Sequence, residues 1–297
     1  MPTVRANGID LYYDTTGDPA GPTILLVMGL ATQSIAWPDA FVERLAAAGF
    51  QVVRFDNRDV GLSKRMDGAP AVHPVWALLA TRLRLPFPLA YTLTDMAADA
   101  VGLLDALGIA RAHVVGASMG GMIAQLAAAR WPDRVASLTS IMSTSGAPGL
   151  PGPNATIRRR MLARRPANPT RAEAVAAGEA MLRLISYPDP ARPDGAFAEM
   201  AGRAFDRAYY PAGARRQLDA IIADGSRVAR LAAIRAPTLL IHGAEDQLVP
   251  RAGSEDLARR IPHARLEIVP GMAHDLPPSR LAYLADLITD HARATRD

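Results

Sequence analysis

Short apolar runs alternate with longer amphipathic stretches along most of this chain. Each apolar run has the length of one buried strand, and each amphipathic stretch has the length of one helix. Strands are predicted over residues 23–27, 51–55, 113–115, 135–142, 237–242 and 265–269. Helices are predicted over residues 37–49, 92–107, 122–130, 252–261 and 278 to about 293. Continuous rather than alternating hydrophobicity in the strands is typical of a sheet covered on both faces.

The order of these elements predicts the fold class. Strands that alternate with helices form a doubly wound, mostly parallel α/β sheet. The first two segments differ, because residues 3–6 and 9–13 flank Asn7-Gly8, and Asn-Gly is a strong hairpin signal. We therefore predict an antiparallel hairpin at one edge of the sheet.

Prolines interrupt the alternation between residues 143 and 233. No strand pattern is convincing there. We interpret residues 143–233 as a helical cap, inserted into a core formed by residues 1–142 and 234–297. Helical runs lie between the prolines of this cap, over residues 171–184, 195–209 and 214–223.

A second proline-rich stretch, residues 69–91, surrounds the segment VWALLATRLRL. The segment is long enough for about two helical turns. It fits either a surface amphipathic helix or a lip over a pocket. Attachment of this segment to a membrane surface is a weaker alternative, and we expect no membrane partner.

Composition narrows the classes of function. The chain has 297 residues, 49% of them apolar, and no cysteine, which excludes disulfides, a thiolate nucleophile and a cysteine-ligated metal. The start of the chain lacks the layout of a signal peptide, and no apolar run approaches the ~18 residues of a membrane span. We therefore expect a cytoplasmic protein.

The positive charge comes almost entirely from scattered arginines. The net charge is +4, and Lys64 is the only lysine. Aromatic residues are few and do not alternate with basic ones, so we expect no nucleic-acid partner. No cluster of His, Asp and Glu has metal-ligand spacing, so we expect neither a metal site nor a cofactor.

The most informative motif is Gly116-Ala117-Ser118-Met119-Gly120. It lies between a predicted buried strand and a predicted helix, which is the context of a nucleophile elbow. Glycines two residues before and after the serine allow the tight approach that such a strained turn needs. The turn would raise the Ser118 hydroxyl above the edge of the sheet.

A serine hydroxyl needs a base, and that base is usually an oriented histidine. Of six histidines, His274 alone lies in a loop directly after a predicted strand, at the same sheet edge as Ser118. His113 and His242 lie within or at the end of strands and are interpreted as structural. The remaining three are His73 in the proline-rich lip, His263 before the last strand and His291 on the last helix.

An acid must orient the imidazole. The loop after the predicted strand 135–142 is one place for this acid, but residues 134–150 contain no Asp or Glu. The loop after strand 237–242 contains both Glu245 and Asp246. Asp246 fits better at four residues past the strand, and the chain order serine, aspartate, histidine matches a known triad order.

Two backbone N–H groups are the candidate donors to a developing oxyanion. Met119 begins the helix that follows the serine, and the N–H of Leu30 follows Gly29 after the strand 23–27. Candidate pocket walls are Trp37, Trp76, Met142, Tyr209, Tyr210 and Leu248. We interpret Asp56, Arg58 and Asp59 as structural, forming loop hydrogen bonds and an ion pair.

Together these segments resemble the α/β-hydrolase superfamily over nearly the whole chain. Within it, the pattern VMGL…WPD…FDNRDVGLS resembles the aclacinomycin methylesterase-like group, ester hydrolases that act on polyketide methyl esters. Many superfamily members have His-Gly where this chain has Met28-Gly29, a change that keeps the backbone donor. The segments that carry the resemblance are residues 28–30, 56–63, 116–120, 243–250 and 271–274.

The resemblance implies a nucleophilic Ser118, a basic His274, an orienting Asp246 and oxyanion donors at Leu30 and Met119. The leading hypothesis is a cofactor-independent serine hydrolase of carboxylic esters, with a small-molecule ester as its partner. Lactone, thioester, C–C bond and perhydrolase chemistry use the same groups and stay open. The competing hypothesis is a non-catalytic small-molecule binding protein with the same fold. The oligomeric state stays open.

Overall fold

The computed structural model describes residues 2–83, 85–163 and 169–295. In these ranges eight strands form one sheet in the order β1-β2-β4-β3-β5-β6-β7-β8. The strands are β1 Thr3–Ala6, β2 Ile9–Thr16, β3 Thr23–Val27, β4 Gln51–Phe55, β5 Ala112–Ala117, β6 Val135–Ile141, β7 Thr238–Gly243 and β8 Arg265–Val269.

The strand directions confirm the predicted sheet. β1 pairs antiparallel with β2, and β2 pairs antiparallel with β4. Every later pair, from β3–β4 to β7–β8, is parallel. The carboxyl ends of β3 to β8 therefore meet at one edge, where chemistry collects in open α/β sheets.

Side chains alternate along each strand, so the sheet has two apolar faces. Helices cover both of these faces. Ile24 and Leu26 of β3 lie in one apolar cluster, and Leu25 and Val27 lie in the other. The helices are α1 Asp39–Ala47, α2 Pro74–Leu83, α3 Leu93–Ala106, α4 Met119–Arg130, α5 Ala155–Leu162, α6 Arg171–Ile185, α7 Ala196–Arg207, α8 Pro211–Asp224, α9 Val228–Leu231, α10 Ala252–Arg260 and α11 Leu281–Arg293. None of the described helices is long and apolar enough to cross a membrane.

Several boundaries differ from those predicted. The first helix begins at Asp39 and not at Trp37, because the backbone is extended at Trp37 and Pro38, with ψ of 115° and 135°. α3 begins where Thr92 and Asp95 form a capping box. The short helices α5 and α9 had no clear periodicity in the sequence. In the lip, α2 packs its small side chains Ala77 and Ala80 inward against α8.

Five helices, α5 to α9, lie between β6 and β7, and we call them the helical insertion. It packs on the carboxyl edge of the sheet through buried polar contacts. Arg207 of α7 pairs with Asp56 at 2.7 Å, and Arg216 of α8 pairs with Asp59 at 2.7 Å. The insertion therefore touches the same sheet edge that holds the predicted site.

The loop after β4 carries buried charges that hold loops together. Asp56 accepts hydrogen bonds from the backbone N–H groups of Ser34 and Leu62. Arg58 makes two hydrogen bonds of 2.6 Å to the buried carboxylate of Asp99 on α3. These contacts are the loop hydrogen bonds and the ion pair that the structural interpretation of this loop predicts.

We expect Arg58→Met to lower the free energy of unfolding by about 3–5 kcal/mol, because it leaves the Asp99 carboxylate buried without its cation. Urea unfolding with a fitted slope measures the change. Arg44→Met is the matched control, since Arg44 makes the same two-bond contact to Asp286 in an exposed position. Equal urea midpoints for the two variants would contradict the prediction.

Candidate active site

Ser118 occupies a strained turn between β5 and α4. Its backbone angles are φ 56° and ψ −117°, in a region that residues other than glycine rarely adopt. A Cβ atom at Gly116 would overlap the carbonyl of Gly120, and one at Gly120 would overlap the carbonyl of Val27. The two glycines thus permit the close backbone approach on which the turn depends.

Three side chains from three strand ends meet at this turn. The Nε2 atom of His274 lies 3.0 Å from the Oγ atom of Ser118. The Nδ1 atom of His274 lies 2.7 Å from the Oδ2 atom of Asp246. His274 follows β8 and Asp246 follows β7, so parallel strands bring together residues distant in sequence. The hydroxyl, imidazole and carboxylate form one continuous hydrogen-bonded series.

The Asp246 carboxylate is held from several sides. Its Oδ1 atom accepts hydrogen bonds of 2.9 Å from the backbone N–H groups of Leu248 and Val249. Burial alone would raise the pKa of Asp246, but the nearby His274 charge and hydrogen bonds from His242 and His274 outweigh it and lower this pKa to about 2. Asp246 is therefore ionised at neutral pH.

Glu245, the competing acid, lies outside this series. It is exposed, and its carboxylate accepts hydrogen bonds of 3.2 Å from the backbone N–H groups of Gly271 and Met272. Glu245 thus fixes the loop that carries the histidine, while Asp246 contacts the imidazole itself.

Two backbone N–H groups near Ser118 are free to donate. Within the described part of the chain, neither Leu30 nor Met119 donates its N–H to any acceptor. Met119 is the first residue of α4, where an N–H has no partner within the helix. A Cβ at Gly29 would lie 3.2 Å from the Cβ of Ser118, so the loop of Leu30 passes close to the serine. This arrangement can stabilise negative charge on an oxygen bound at Ser118.

The six candidate wall residues lie in different surroundings. Trp37 is fully buried and stacks on Phe41 at 5.6 Å, and Met142 belongs to the same apolar cluster. Trp76 is 48% exposed on α2. Tyr209 is partly exposed and its ring contacts the ring of Phe205. Tyr210 forms hydrogen bonds with Asp67 and Arg216. Leu248 is half-buried in the loop that carries Asp246.

Three polar residues that surround the site were not among the predicted site residues, and His242 was interpreted as structural. His242 lies 3.3 Å from Asp246 and contacts the backbone oxygen of Val249. Asn57 and Gln217 bind backbone groups of the loop that carries Leu30. His242 lies at the end of β7 and Asn57 is the second residue after β4, which was a usable signal, whereas no sequence pattern marks Gln217.

Comparison with known proteins identifies the family of this chain. The model of a family described as having the α/β-hydrolase fold matches residues 22–279. The rhodomycin D methylesterase DauP of Streptomyces sp. (strain C5) is 32% identical, over 99% of each chain. The rhodomycin D methylesterase DnrP of Streptomyces peucetius is 31% identical, also over 99% of each chain. The predicted resemblance to methylesterases is thereby confirmed.

Solved structures share the fold. The enol-lactonase from Burkholderia xenovorans LB400 superimposes with a TM-score of 0.76 at 25% identity, covering 98% of this chain and 100% of that one. The similarity covers the helical insertion as well as the sheet. The predicted fold class is confirmed by this agreement.

The low pKa of Asp246 predicts a pH-dependent stability. Because this pKa is about 2 in the folded protein and about 3.9 in an unfolded chain, the ionised carboxylate stabilises the fold above pH ~4. This stabilisation is lost as the pH falls through ~4 toward 2. Over that window, we expect the difference in the free energy of unfolding between the wild type and Asp246→Asn to shrink by about 2 kcal/mol, as measured by urea unfolding. Glu245→Gln is the control, and a gap independent of pH would contradict the assignment.

Proposed function

The chain belongs to the α/β-hydrolase fold family, and we propose that it is a cofactor-independent serine hydrolase that cleaves carboxylic esters through an acyl-enzyme. The hydrogen-bonded series from Ser118 through His274 to Asp246 carries this proposal. The core of residues 1–142 and 234–297 supplies these groups. Residues 143–233 form a cap over these three groups, and residues 69–91 form a lip beside the cap.

Acylation begins when Ser118 Oγ attacks the ester carbonyl and His274 Nε2 takes the hydroxyl proton. The oxyanion of the tetrahedral intermediate accepts hydrogen bonds from the N–H groups of Leu30 and Met119. When the intermediate collapses, the C–O bond to the leaving alcohol breaks and His274 returns the proton to that alcohol. The acyl group stays on Ser118.

Deacylation repeats these steps with water. His274 takes a proton from water as the water attacks the acyl carbonyl, and it then returns a proton to Ser118 as the acid leaves. Asp246 keeps the Nδ1 proton of His274 in place and stabilises the imidazolium that forms twice per cycle. No step needs a metal or a cofactor.

A methyl ester of a bulky aromatic acid is the substrate class that we favour. Two relatives that match over 99% of their length are named methylesterases, and both act on rhodomycin D by name. A lactone is the second candidate, since an enol-lactonase shares the fold and a lactone is a cyclic ester opened by the same steps. The expectation of no nucleic-acid partner and the expectation of a cytoplasmic location remain predictions.

We expect Ser118→Ala and His274→Ala to abolish ester turnover and labelling by a fluorophosphonate, because each removes a reacting group. Asp246→Asn should lower turnover by ~10⁴-fold, since the wrong imidazole tautomer is then favoured. Glu245→Gln, one residue away and outside the hydrogen-bonded series, should retain turnover within about threefold.

Intact-mass measurement of the labelled protein tests these variants without a known substrate. Failure of the wild type to label, or equal labelling of Ser118→Ala, would show a binding protein rather than a serine hydrolase. If Glu245→Gln lost most of the turnover while Asp246→Asn kept near-normal turnover, Glu245 rather than Asp246 would be the acid that orients His274.

A substrate panel identifies the cleaved bond. We expect methyl esters of polycyclic aromatic acids to have the highest kcat/KM, exceeding short-chain acyl esters of simple alcohols by tenfold or more, which is about 1.4 kcal/mol of transition-state binding. Liquid chromatography of the released acid measures turnover. Preference for an aryl enol-lactone would favour the second candidate, and preference for the short acyl esters would contradict the methylesterase proposal.

A further inference from the structure

The loop that carries the Leu30 donor is held on both sides of that donor. The side-chain amide of Asn57 donates to the backbone oxygen of Met28 at 2.9 Å. The hydroxyl of Thr32 donates to the backbone oxygen of Leu30 at 2.9 Å. The N–H of Ala31 donates to the Oε1 atom of Gln217 at 2.8 Å. The peptide that presents the Leu30 N–H therefore has fixed neighbours before and after it.

Gln217 is the contact that comes from outside the core. It lies on α8 of the helical insertion and is fully buried. Its Nε2 atom donates to the backbone oxygen of Arg58 at 2.8 Å, so both ends of its amide are used. The amide thus joins the loop after β3, the loop after β4 and the insertion at one point.

The backbone at Ala31 needs such a contact. Its φ is 57°, in the left-handed region that a residue with a Cβ adopts only when its surroundings impose it. Relaxation of Ala31 toward an ordinary conformation would rotate the Leu30–Ala31 peptide, which directly follows the Gly29–Leu30 peptide that carries the donor N–H. The hydrogen bond from the Ala31 N–H to Gln217 opposes that rotation.

Further contacts tie the same loop to the insertion. The amide nitrogen of Gln33 donates to the backbone oxygens of Ala204 and Ala208, at 2.6 and 3.0 Å. These contacts hold the far end of the loop, three residues beyond Leu30. Gln217 is the one of the two glutamines that acts next to the donor itself.

We propose that Gln217 is a positioning residue for the oxyanion hole, which fixes the Leu30 N–H toward Ser118 through the backbone of Ala31. Donors that are already oriented need no reorganisation as charge develops in the transition state, and this is the source of their catalytic effect. The helical insertion then takes part in catalysis and does more than enclose the substrate. This inference rests on the proposed serine-hydrolase function.

Gln217→Met tests the proposal, because methionine keeps the length and volume of the side chain and loses both hydrogen bonds. We expect kcat for an activated aryl ester to fall by about 10- to 100-fold, a loss no larger than that caused by removing an oxyanion donor outright. KM should stay within about threefold of the wild-type value. The inhibition constant of an aryl trifluoromethyl ketone, which binds as a tetrahedral oxyanion, should rise by the same factor. Its reduced alcohol should bind unchanged.

Asp219→Ala is the matched control on the same helix. Asp219 is buried and accepts a hydrogen bond of 2.8 Å from the backbone N–H of Val72, away from the Leu30 loop. This variant loosens α8 without touching Ala31, so kcat should stay within about threefold of the wild type. An equal fall in kcat for both variants, or a change in KM alone for Gln217→Met, would overturn the proposal.

Amide hydrogen exchange supplies a readout that does not need activity. In Gln217→Met the peptide covering residues 28–34 should exchange at least tenfold faster than in the wild type, with no such change in Asp219→Ala. If the wild type fails to label with fluorophosphonate, the proposed function fails and the exchange result alone decides the role of Gln217. Unchanged exchange in residues 28–34 overturns that role whatever the activity.

Discussion

The left-handed backbone of Ser118 is the constraint on which the rest of the site depends. A serine at φ 56° costs of order 1–3 kcal/mol, and it persists because β5 is paired with β3 and β6 while α4 packs against β5 and β6. The turn needs Gly116 and Gly120, since any side chain there would overlap backbone. It places the Ser118 hydroxyl 3.0 Å from the Nε2 atom of His274, and it places the Met119 N–H, which has no acceptor among the described residues, at the start of a helix. One strained turn thus positions both the proposed nucleophile, Ser118, and a proposed oxyanion donor, the Met119 N–H.

Charge pairing connects this edge of the sheet to the helices above it. Asp56 and Asp59 follow β4, and the arginines that pair with them, Arg207 and Arg216, belong to the insertion. Both aspartates are buried, so each pair is costly to break. The two pairs therefore tie α7 and α8 of the insertion to the loop after β4. Gln217, an uncharged residue of the same insertion, adds hydrogen bonds to the loops after β3 and β4.

Much of the fold could be predicted because hydrophobic period and turn chemistry act locally. The run at residues 265–269 matches β8 at both ends, and the strong hairpin signal at Asn7-Gly8 lies between β1 and β2. Ser118, His274 and Asp246 could be found because each follows a strand, and parallel strands end at one edge. Trp37 and Gln217 show the limit, since burial of Trp37 against Phe41 and the reach of Gln217 to Ala31 depend on tertiary contacts across the chain. Neither contact has a signature in the local sequence.

A crystal structure of the protein inactivated with an aryl phosphonate tests the central claim most directly, because the phosphonate is a stable copy of the tetrahedral intermediate. The account predicts a covalent bond from Ser118 Oγ to phosphorus, with the phosphoryl oxygen about 2.7–3.1 Å from the N atoms of both Leu30 and Met119. His274 should then face the alkoxy oxygen retained on phosphorus, which stands where the leaving alcohol of an ester would lie. A bond to another residue, or a phosphoryl oxygen turned away from those two N–H groups, would contradict the account.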